Sequence, residues 1–243
     1  MLVLHLLALT CAALAPLAAA SERRTLALLP RQQQNSSTSS KSGSESPYKD
    51  AGYQIIPATL PELPYALDAL EPTIGEETMK IHYAGFGAAI KRFNAALTNF
   101  TAAVAAQDTA EVVRLTSLIA FNGGAHINHF LFFKSLAPSS TGGGSGSFPS
   151  SSQIGAKAAA VQGSGWVWVG WNGATEVLQI ETTKNQDILQ APLVPLLGID
   201  LFEHAFFLDY QSDRAAYVSS IFAVVNWAEV ERRLVFAQGG GEW

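Results

Sequence analysis

The hydrophobic period of this chain changes at a Gly- and Ser-rich tract near its middle. Before the tract, over residues 75–134, apolar residues recur every three or four positions, which is typical of amphipathic helices. After the tract, from Gly165 to Asp200, short runs rich in Val, Trp and Leu are separated by turn residues, which is typical of strands. The order predicts an α+β fold: an N-terminal antiparallel helical hairpin followed by a C-terminal α/β domain with a three-stranded antiparallel sheet.

Two helices are expected before the tract. The first extends from Gly75 to about Ala106, and the second begins at Asp108, with Glu111 three residues later completing a capping box. Residues 122–124, Asn-Gly-Gly, are expected to interrupt the second helix, which then resumes. The joint between the helices is short, so we expect them to lie antiparallel.

Three strands and two short helices are expected after the tract. The first strands cover residues 165–171 and 175–182, and Asn172-Gly173 between them is a hairpin-turn signal. The other expected elements are a strand over 194–200 and helices over 214–225 and 227–236.

These patterns divide the chain into five segments. The Gly/Ser tract is expected to lack regular structure and to connect two domains. The segments are a signal peptide at 1–20, a disordered leader at 21–56, the helical hairpin domain at 57–137, the Gly/Ser-rich connection at 138–160 and the C-terminal α+β domain at 161–243.

The first twenty residues contain no Lys, Arg, Asp or Glu and end in small residues, which favours a secretory signal and a secreted protein. A mitochondrial presequence is the alternative, because Arg23, Arg24 and Arg31 and a Ser-rich run follow. Pro16 interrupts the apolar run and no later stretch is long enough to span a bilayer, so no membrane segment is expected in the mature form.

Composition excludes some classes of function. An apolar content of 48% can supply a core, and a formal charge of −5 without a long basic run argues against nucleic acid as a partner. The single cysteine, Cys11, lies in the predicted signal peptide, so no sulfur ligand is expected in a mature metal site.

Two pairs of residues could reach one metal ion. Asp200 and His204 are four residues apart, and His126 and His129 are three apart. Taken alone, either pair is more often a hydrogen-bonded feature of a core than a metal site. His82 shares a helix face with Phe86 and Ile90, at i, i+4 and i+8, and is still less diagnostic. Nitrogen and oxygen ligands without sulfur suit manganese, iron or zinc.

The chain resembles the manganese/iron superoxide dismutase family over residues 58 to 236. The matching segments keep the family's order and spacing, and the GWVWVGW and GIDxxEHA segments are specific to it. They are LPELPYALDALEP (60–72), MKIHY (79–83), FNGGAHINHF (121–130), VQGSGWVWVGWN (161–172), KNQDILQ (184–190), PLLGIDLFEHAFFLDY (195–210) and VVNWAEVERR (224–233).

The resemblance implies a metal site and a reaction. In the family, three histidines and an aspartate bind the ion, and the matching residues are His82, His129, Asp200 and His204. The implied activity is the conversion of superoxide to dioxygen and hydrogen peroxide by redox cycling of the ion. Gln186 stands where manganese-type members place a glutamine, and no glutamine lies in the segment where iron-type members place theirs. This favours manganese, with iron as the alternative.

Further roles follow from the same resemblance. Trp166 and Trp168 would form an aromatic wall that keeps the site dry, although both could be ordinary core residues. Arg214 matches a funnel arginine that attracts superoxide, and Glu203 matches a residue that bonds a ligand histidine of a partner subunit. A homodimer or tetramer is therefore expected. His126 is interpreted as structural.

Four residues depart from the family pattern. Phe86 replaces a histidine, Ile90 a tyrosine, Phe202 a tryptophan and Phe207 a tyrosine. Because Phe86 and Ile90 cannot relay protons, impaired proton delivery and slow turnover are expected. The alternatives are a superoxide-dismutase-like protein that binds metal with little or no turnover, and a structural subunit on the same fold.

Overall fold

The computed structural model describes residues 57–146 and 151–239. The predicted signal peptide at 1–20 and leader at 21–56 lie outside these residues. Helix α1 (Glu76–Ala105) and helix α2 (Thr109–Lys134) pack together as a hairpin. Asp108 caps α2 as expected, since its carboxylate accepts a hydrogen bond from the Glu111 backbone at 3.0 Å. The Glu111 side chain instead pairs with Arg114 at 2.7 and 2.6 Å, so only half of a capping box forms.

Helix α2 is continuous, and the predicted interruption at residues 122–124 is wrong. Asn122 supports the helix, because its amide donates to the Leu118 carbonyl at 2.9 Å. Both glycines are buried and serve close packing rather than a turn. A Cβ on Gly124 would lie 2.0 Å from the Gln186 carbonyl oxygen, and one on Gly123 would lie 2.8 Å from the Phe93 ring.

The Gly/Ser tract contains regular structure. A short 3-10 helix covers Ser139–Thr141, and helix α3 covers Ser151–Ala160, so the prediction that the Gly/Ser tract at 138–153 lacks regular structure is wrong at these residues. Ile154 and Ala158, four residues apart, are buried in the main core. Burial of this apolar pair stabilises α3, because tertiary packing supplies most of the stability of a short helix.

The sheet has three antiparallel strands in the order β2-β1-β3. Strand β1 (Gly165–Asn172) is almost wholly buried between β2 (Val177–Lys184) and β3 (Leu193–Asp200). The loop between β1 and β2 is longer than the predicted two-residue turn, because the Asn172 side-chain oxygen accepts from the Ala174 backbone at 3.0 Å and holds an open turn.

The chain ends in a series of short helices. The predicted helix over 214–225 is divided, and the short helix α4 has no counterpart in the sequence-based prediction. The helices are α4 (Phe207–Tyr210), α5 (Arg214–Ser220), a 3-10 helix over Ile221–Val224 and α6 (Trp227–Ala237).

One core joins the hairpin to the sheet. Met79 and Phe132 from the hairpin, Trp166 and Trp168 from β1, and Tyr217 from α5 all belong to it and are at most 1% exposed. The predicted α+β fold class is confirmed. Within the described residues, no helix combines the length and the apolar character needed to cross a membrane.

Candidate metal centre

Four side chains from both halves of the chain converge in the core. His82 lies on α1, His129 on α2, Asp200 at the end of β3, and His204 in a 3-10 turn at Glu203–Ala205. Antiparallel pairing sets Asp200 opposite Trp166 of β1, which fixes the carboxylate against the sheet. One potential ligand atom from each of the four residues lies within 4.8 Å of the others.

Three imidazoles point at one carboxylate oxygen. Asp200 Oδ2 lies 3.1 Å from His82 Nε2, 3.5 Å from His129 Nε2 and 3.2 Å from His204 Nε2. The other oxygen of Asp200 accepts a hydrogen bond from the Phe202 backbone at 2.8 Å, which holds the carboxylate in place. His82 and Asp200 are at most 1% exposed, whereas the His204 side chain is 35% exposed.

Burial and neighbouring charges determine which residues of this cluster are protonated. Burial lowers the pKa of His82 to about 3 and also lowers the pKa of His129, in both cases against the attraction of Asp200. Burial alone would raise the pKa of Asp200, but hydrogen bonds from His204 and His82 hold it well below its usual range. For His204, bonding to Asp200 outweighs burial and raises the pKa. Asp200 is therefore an anion, and His82 and His129 are neutral.

The tautomer of His129 shows that the cluster suits a cation. Its Nδ1 lies 2.7 Å from the Ala125 carbonyl oxygen, which can only accept, so Nδ1 carries the proton. In the neutral ring, Nε2 then directs a lone pair at the Asp200 anion 3.5 Å away. Two facing electron pairs in a buried site are unfavourable unless a positive ion binds between them. The donor set of three nitrogens and one oxygen therefore fits a transition-metal ion.

Aromatic rings enclose the cluster. The Trp166 ring lies 5.3 Å from His129 in an edge contact, and Trp168 stacks on Trp166 at 5.4 Å. Phe202 stacks on His204 at 5.2 Å, and Phe133 lies 4.9 Å from His82. These rings exclude water from most sides and strengthen electrostatic interactions at the site.

Gln186 presents a polar group to the cluster. Its side-chain oxygen accepts from Trp166 Nε1 at 3.2 Å and from Asn128 Nδ2 at 3.4 Å. With that oxygen occupied, the NH2 group of Gln186 is the donor that remains for the cavity. The cavity measures about 210 Å³, and His82, His129, His204, Gln186 and Phe202 are among the residues that line it.

Of the four residues that depart from the family pattern, Phe202 lines this cavity, and the other three are not among its described lining residues. Phe86 is fully buried and stacks on His129 at 5.4 Å, and Ile90 is 4% exposed in the same core. His126 stacks on Phe86 at 5.9 Å and is outside the ligand cluster. Phe207 is 47% exposed, at the surface.

Two residues from the resemblance lie away from the cavity lining. Arg214 donates to the carbonyl oxygens of Val161 at 2.6 Å and Gly163 at 3.1 Å, and it is not among the described residues that line the cavity. Glu203 is exposed beside His204.

The sequence-based reasoning did not identify Asn128 and Arg92. Asn128 is fully buried. Its Nδ2 donates to the side-chain oxygen of Gln186 at 3.4 Å and to the backbone carbonyl of Gln186 at 3.2 Å. An asparagine one residue before His129, in a largely apolar segment, was the available signal. Arg92 lines the cavity from α1, together with Gly85 and Ala89. The three residues are spaced at i, i+4 and i+7, so the sequence already places them on one helix face.

Comparison with protein families gives two matches. Residues 58–137 match the family model described as the alpha-hairpin domain of iron/manganese superoxide dismutases. Residues 146–233 match the model of the C-terminal domain of the same enzymes.

Comparison with individual proteins gives relatives from plants, fungi and bacteria. A mitochondrial manganese superoxide dismutase of Arabidopsis thaliana is 45% identical, and the match covers 70% of this chain and 78% of the relative. One from Cryptococcus neoformans is 42% identical, over 74% of this chain and 87% of the relative. A manganese superoxide dismutase of Chlamydia trachomatis is 40% identical, over 72% of this chain and 94% of the relative.

These relatives correct the expected location. The plant and fungal proteins are named as mitochondrial. The prediction of a secreted protein with a signal peptide is therefore wrong. The apolar character of residues 1–20 carried that prediction, and such a run is not specific to secretion.

Proposed function

This chain belongs to the iron/manganese superoxide dismutase family, and we propose that His82, His129, Asp200 and His204 are its metal ligands. It is an oxidoreductase that converts two superoxide ions and two protons into dioxygen and hydrogen peroxide. The observation that carries the ligand assignment is the convergence of three imidazole nitrogens on one oxygen of Asp200, at 3.1 to 3.5 Å.

Manganese is the metal of this site, with iron as the alternative within the family. The named relatives are manganese enzymes, and Gln186 lies beside the ligands. The bound ion supplies the one-electron redox chemistry that the side chains lack. The chain contributes the nitrogen and oxygen donors, the orientation of each imidazole and a dry surrounding. Ala125 fixes the His129 tautomer, and the Phe202 backbone fixes Asp200.

Proton supply in this chain is proposed to rest on Gln186 and solvent. Trp166 and Asn128 hold its side-chain oxygen, so its NH2 group points to the cavity as a donor. Phe86 and Ile90 are hydrocarbon side chains at positions where the family resemblance implies a histidine and a tyrosine. We infer that protons reach the site through Gln186, bound solvent and bulk water, and that proton transfer is slower than in family members with the polar residues.

An enzyme assay with metal analysis tests the function directly. Superoxide decay is measured on the purified chain, and manganese and iron are quantified in the same sample. We expect decay that scales with manganese content, up to about one ion per chain, as the single ligand cluster in the described residues implies. Full metal occupancy with no decay would show a metal-binding protein without turnover.

Replacement of Ile90 tests the proton route. We expect Ile90→Tyr to raise the turnover at saturating superoxide by about tenfold or more, because positioned proton transfer contributes roughly 10² to 10⁴ in rate. Ile90→Phe is the matched control, since it adds a ring of similar size to this 4% exposed position without a hydroxyl. Equal rates for the two variants would show that a hydroxyl at this position supplies no proton.

We propose that the functional unit is at least a dimer formed around Glu203 and Phe207. Phe207 and Leu208 are 47% and 50% exposed beside the turn that carries His204, and a subunit interface there would bury two adjacent large apolar side chains. Analytical ultracentrifugation at micromolar concentration is expected to show a dimer or tetramer. Charge introduced by Phe207→Lys is expected to dissociate it, and a monomeric parent protein would contradict the proposal.

We propose that the protein acts in mitochondria. The names of the plant and fungal relatives support this location, and Arg23, Arg24 and Arg31 give the segment ahead of the matched residues a positive charge. Cell fractionation is expected to recover the protein with mitochondria, and recovery in the culture medium would contradict this assignment.

A further inference from the structure

One side of the cavity at the ligand cluster carries a positively charged residue, Arg92. Gly85, Ala89 and Arg92 line it from α1, spaced at i, i+4 and i+7 on one helix face. Among the described lining residues there is no aspartate, glutamate or lysine. Arg92 therefore contributes the one side chain of permanent charge to this part of the lining.

A buried amide holds Arg92 in position. Arg92 Nε donates to Asn122 Oδ1 at 3.0 Å, and Asn122 is 4% exposed. Asn122 is itself fixed, because its Nδ2 donates to the Leu118 carbonyl at 2.9 Å. The contact uses Nε, and no partner of the two terminal nitrogens is recorded among the described residues. Those terminal nitrogens remain available to an anion.

The neighbours of Arg92 leave space for a small ion. A Cβ on Gly85 would meet no atom within 4 Å, so the wall is open there. The cavity of about 210 Å³ has room for a diatomic ion together with several water molecules, since one water occupies about 30 Å³. Arg214, in contrast, is engaged by the carbonyls of Val161 and Gly163 outside this lining.

We propose that Arg92, positioned by Asn122, is the residue that attracts small monoanions into the cavity, superoxide among them. This role rests on the proposed function, because it concerns access to the same ligand cluster. A fixed cation at the entrance of a low-dielectric cleft concentrates anions locally and increases the association rate, and salt screens the effect.

Substitution of Arg92 tests the proposal through the salt dependence of the rate. We expect Arg92→Gln to lower kcat/KM for superoxide by about three- to tenfold at low ionic strength, within the range that electrostatic steering provides. The difference should shrink as salt is added, while kcat stays the same. Arg92→Lys should recover most of the rate, because it restores the charge.

Lys91 offers the matched control. Lys91 is exposed, as Arg92 is, and adjacent to it in sequence, but it is outside the described lining, so Lys91→Gln removes the same charge from the same helix. We expect Lys91→Gln to change kcat/KM by less than about twofold, because the charge of Lys91 is outside the cavity lining and solvent screens it. Equal losses in the Gln variants of Arg92 and Lys91 would overturn the proposal in favour of a general effect of net charge.

Titration of the manganese-loaded protein with azide gives a readout that does not need turnover. Azide is a small monoanion, and its binding is followed by the absorption of the loaded protein. We expect weaker azide binding in Arg92→Gln and Asn122→Ala than in Lys91→Gln. If loaded protein shows no superoxide decay but the azide difference holds, the proposed function fails and the anion site stands. Normal decay with identical azide affinities would remove Arg92 from the site.

Discussion

Replacement of Asp200 with asparagine is expected to lower metal affinity by at least about 100-fold and to abolish superoxide decay. Loss of a residue that only orients a ligand already costs about 10- to 100-fold, and Asp200 is itself the carboxylate of the cluster. Asparagine keeps the shape but removes the charge that three imidazoles face at 3.1 to 3.5 Å. Metal content after dialysis and the rate of superoxide decay measure the two effects.

Asp187→Asn is the control for this substitution. Asp187 is an exposed carboxylate next to Gln186, so the same chemical change is made near the site without touching the cluster. It should leave metal content and decay rate within about twofold of the parent, since an exposed charge is screened by solvent. Normal metal content in Asp200→Asn would disprove the assignment of Asp200 as a ligand.

Arg233→Met is expected to destabilise the protein by about 3–5 kcal/mol, the usual cost of removing one partner of a buried ion pair. Arg233 is 1% exposed, and its Nε donates to Glu229 at 3.0 Å. Its terminal nitrogens donate to Ser135 Oγ and to the Leu196 and Leu131 carbonyls, at 2.9, 2.9 and 3.2 Å. One guanidinium thus ties α6 to the end of α2 and to β3. Thermal unfolding should show the midpoint falling by roughly 2–4 °C per kcal/mol.

Arg232, next to Arg233 in sequence, is the control that distinguishes the effect of burial from the effect of charge. Arg232 pairs with the same Glu229 at 2.8 Å, but its side chain is 41% exposed. Arg232→Met should therefore cost about 1 kcal/mol or less, because exposed ion pairs contribute little. Similar losses in the two variants would mean that the buried hydrogen bonds of Arg233 add nothing beyond a surface ion pair.

The convergence of the four proposed ligands could be predicted from the sequence because they lie in short segments that are specific to the family. His82, His129, Asp200 and His204 are kept at the family positions, and the structure brings their ligand atoms together. The α+β class also followed from the change of hydrophobic period, since helices and strands bury their apolar faces at different spacings.

Long-range packing explains what the sequence could not predict. Gly123 and Gly124 suggested a break in α2, but they are small because Phe93 and the Gln186 carbonyl approach the helix there. Helix α3 begins in the Gly/Ser tract and forms because Ile154 and Ala158 are buried in the core. The position of Arg92 depends on Asn122, which is thirty residues away in sequence and accepts a hydrogen bond from Arg92 Nε at 3.0 Å. Each case depends on a contact between segments that are distant along the chain.

The distribution of the ligands over the chain has a consequence for biosynthesis. His82 and His129 lie in the hairpin, whereas Asp200 and His204 lie beyond the Gly/Ser tract. No complete binding site exists until the last of these residues has been synthesised and both halves have docked. We expect the bound ion to act as a clamp between the halves that adds about 4 kcal/mol to stability when free metal is 1,000 times its Kd. We therefore expect the ion to be loaded in the compartment where folding finishes, and not by the nascent hairpin at the ribosome.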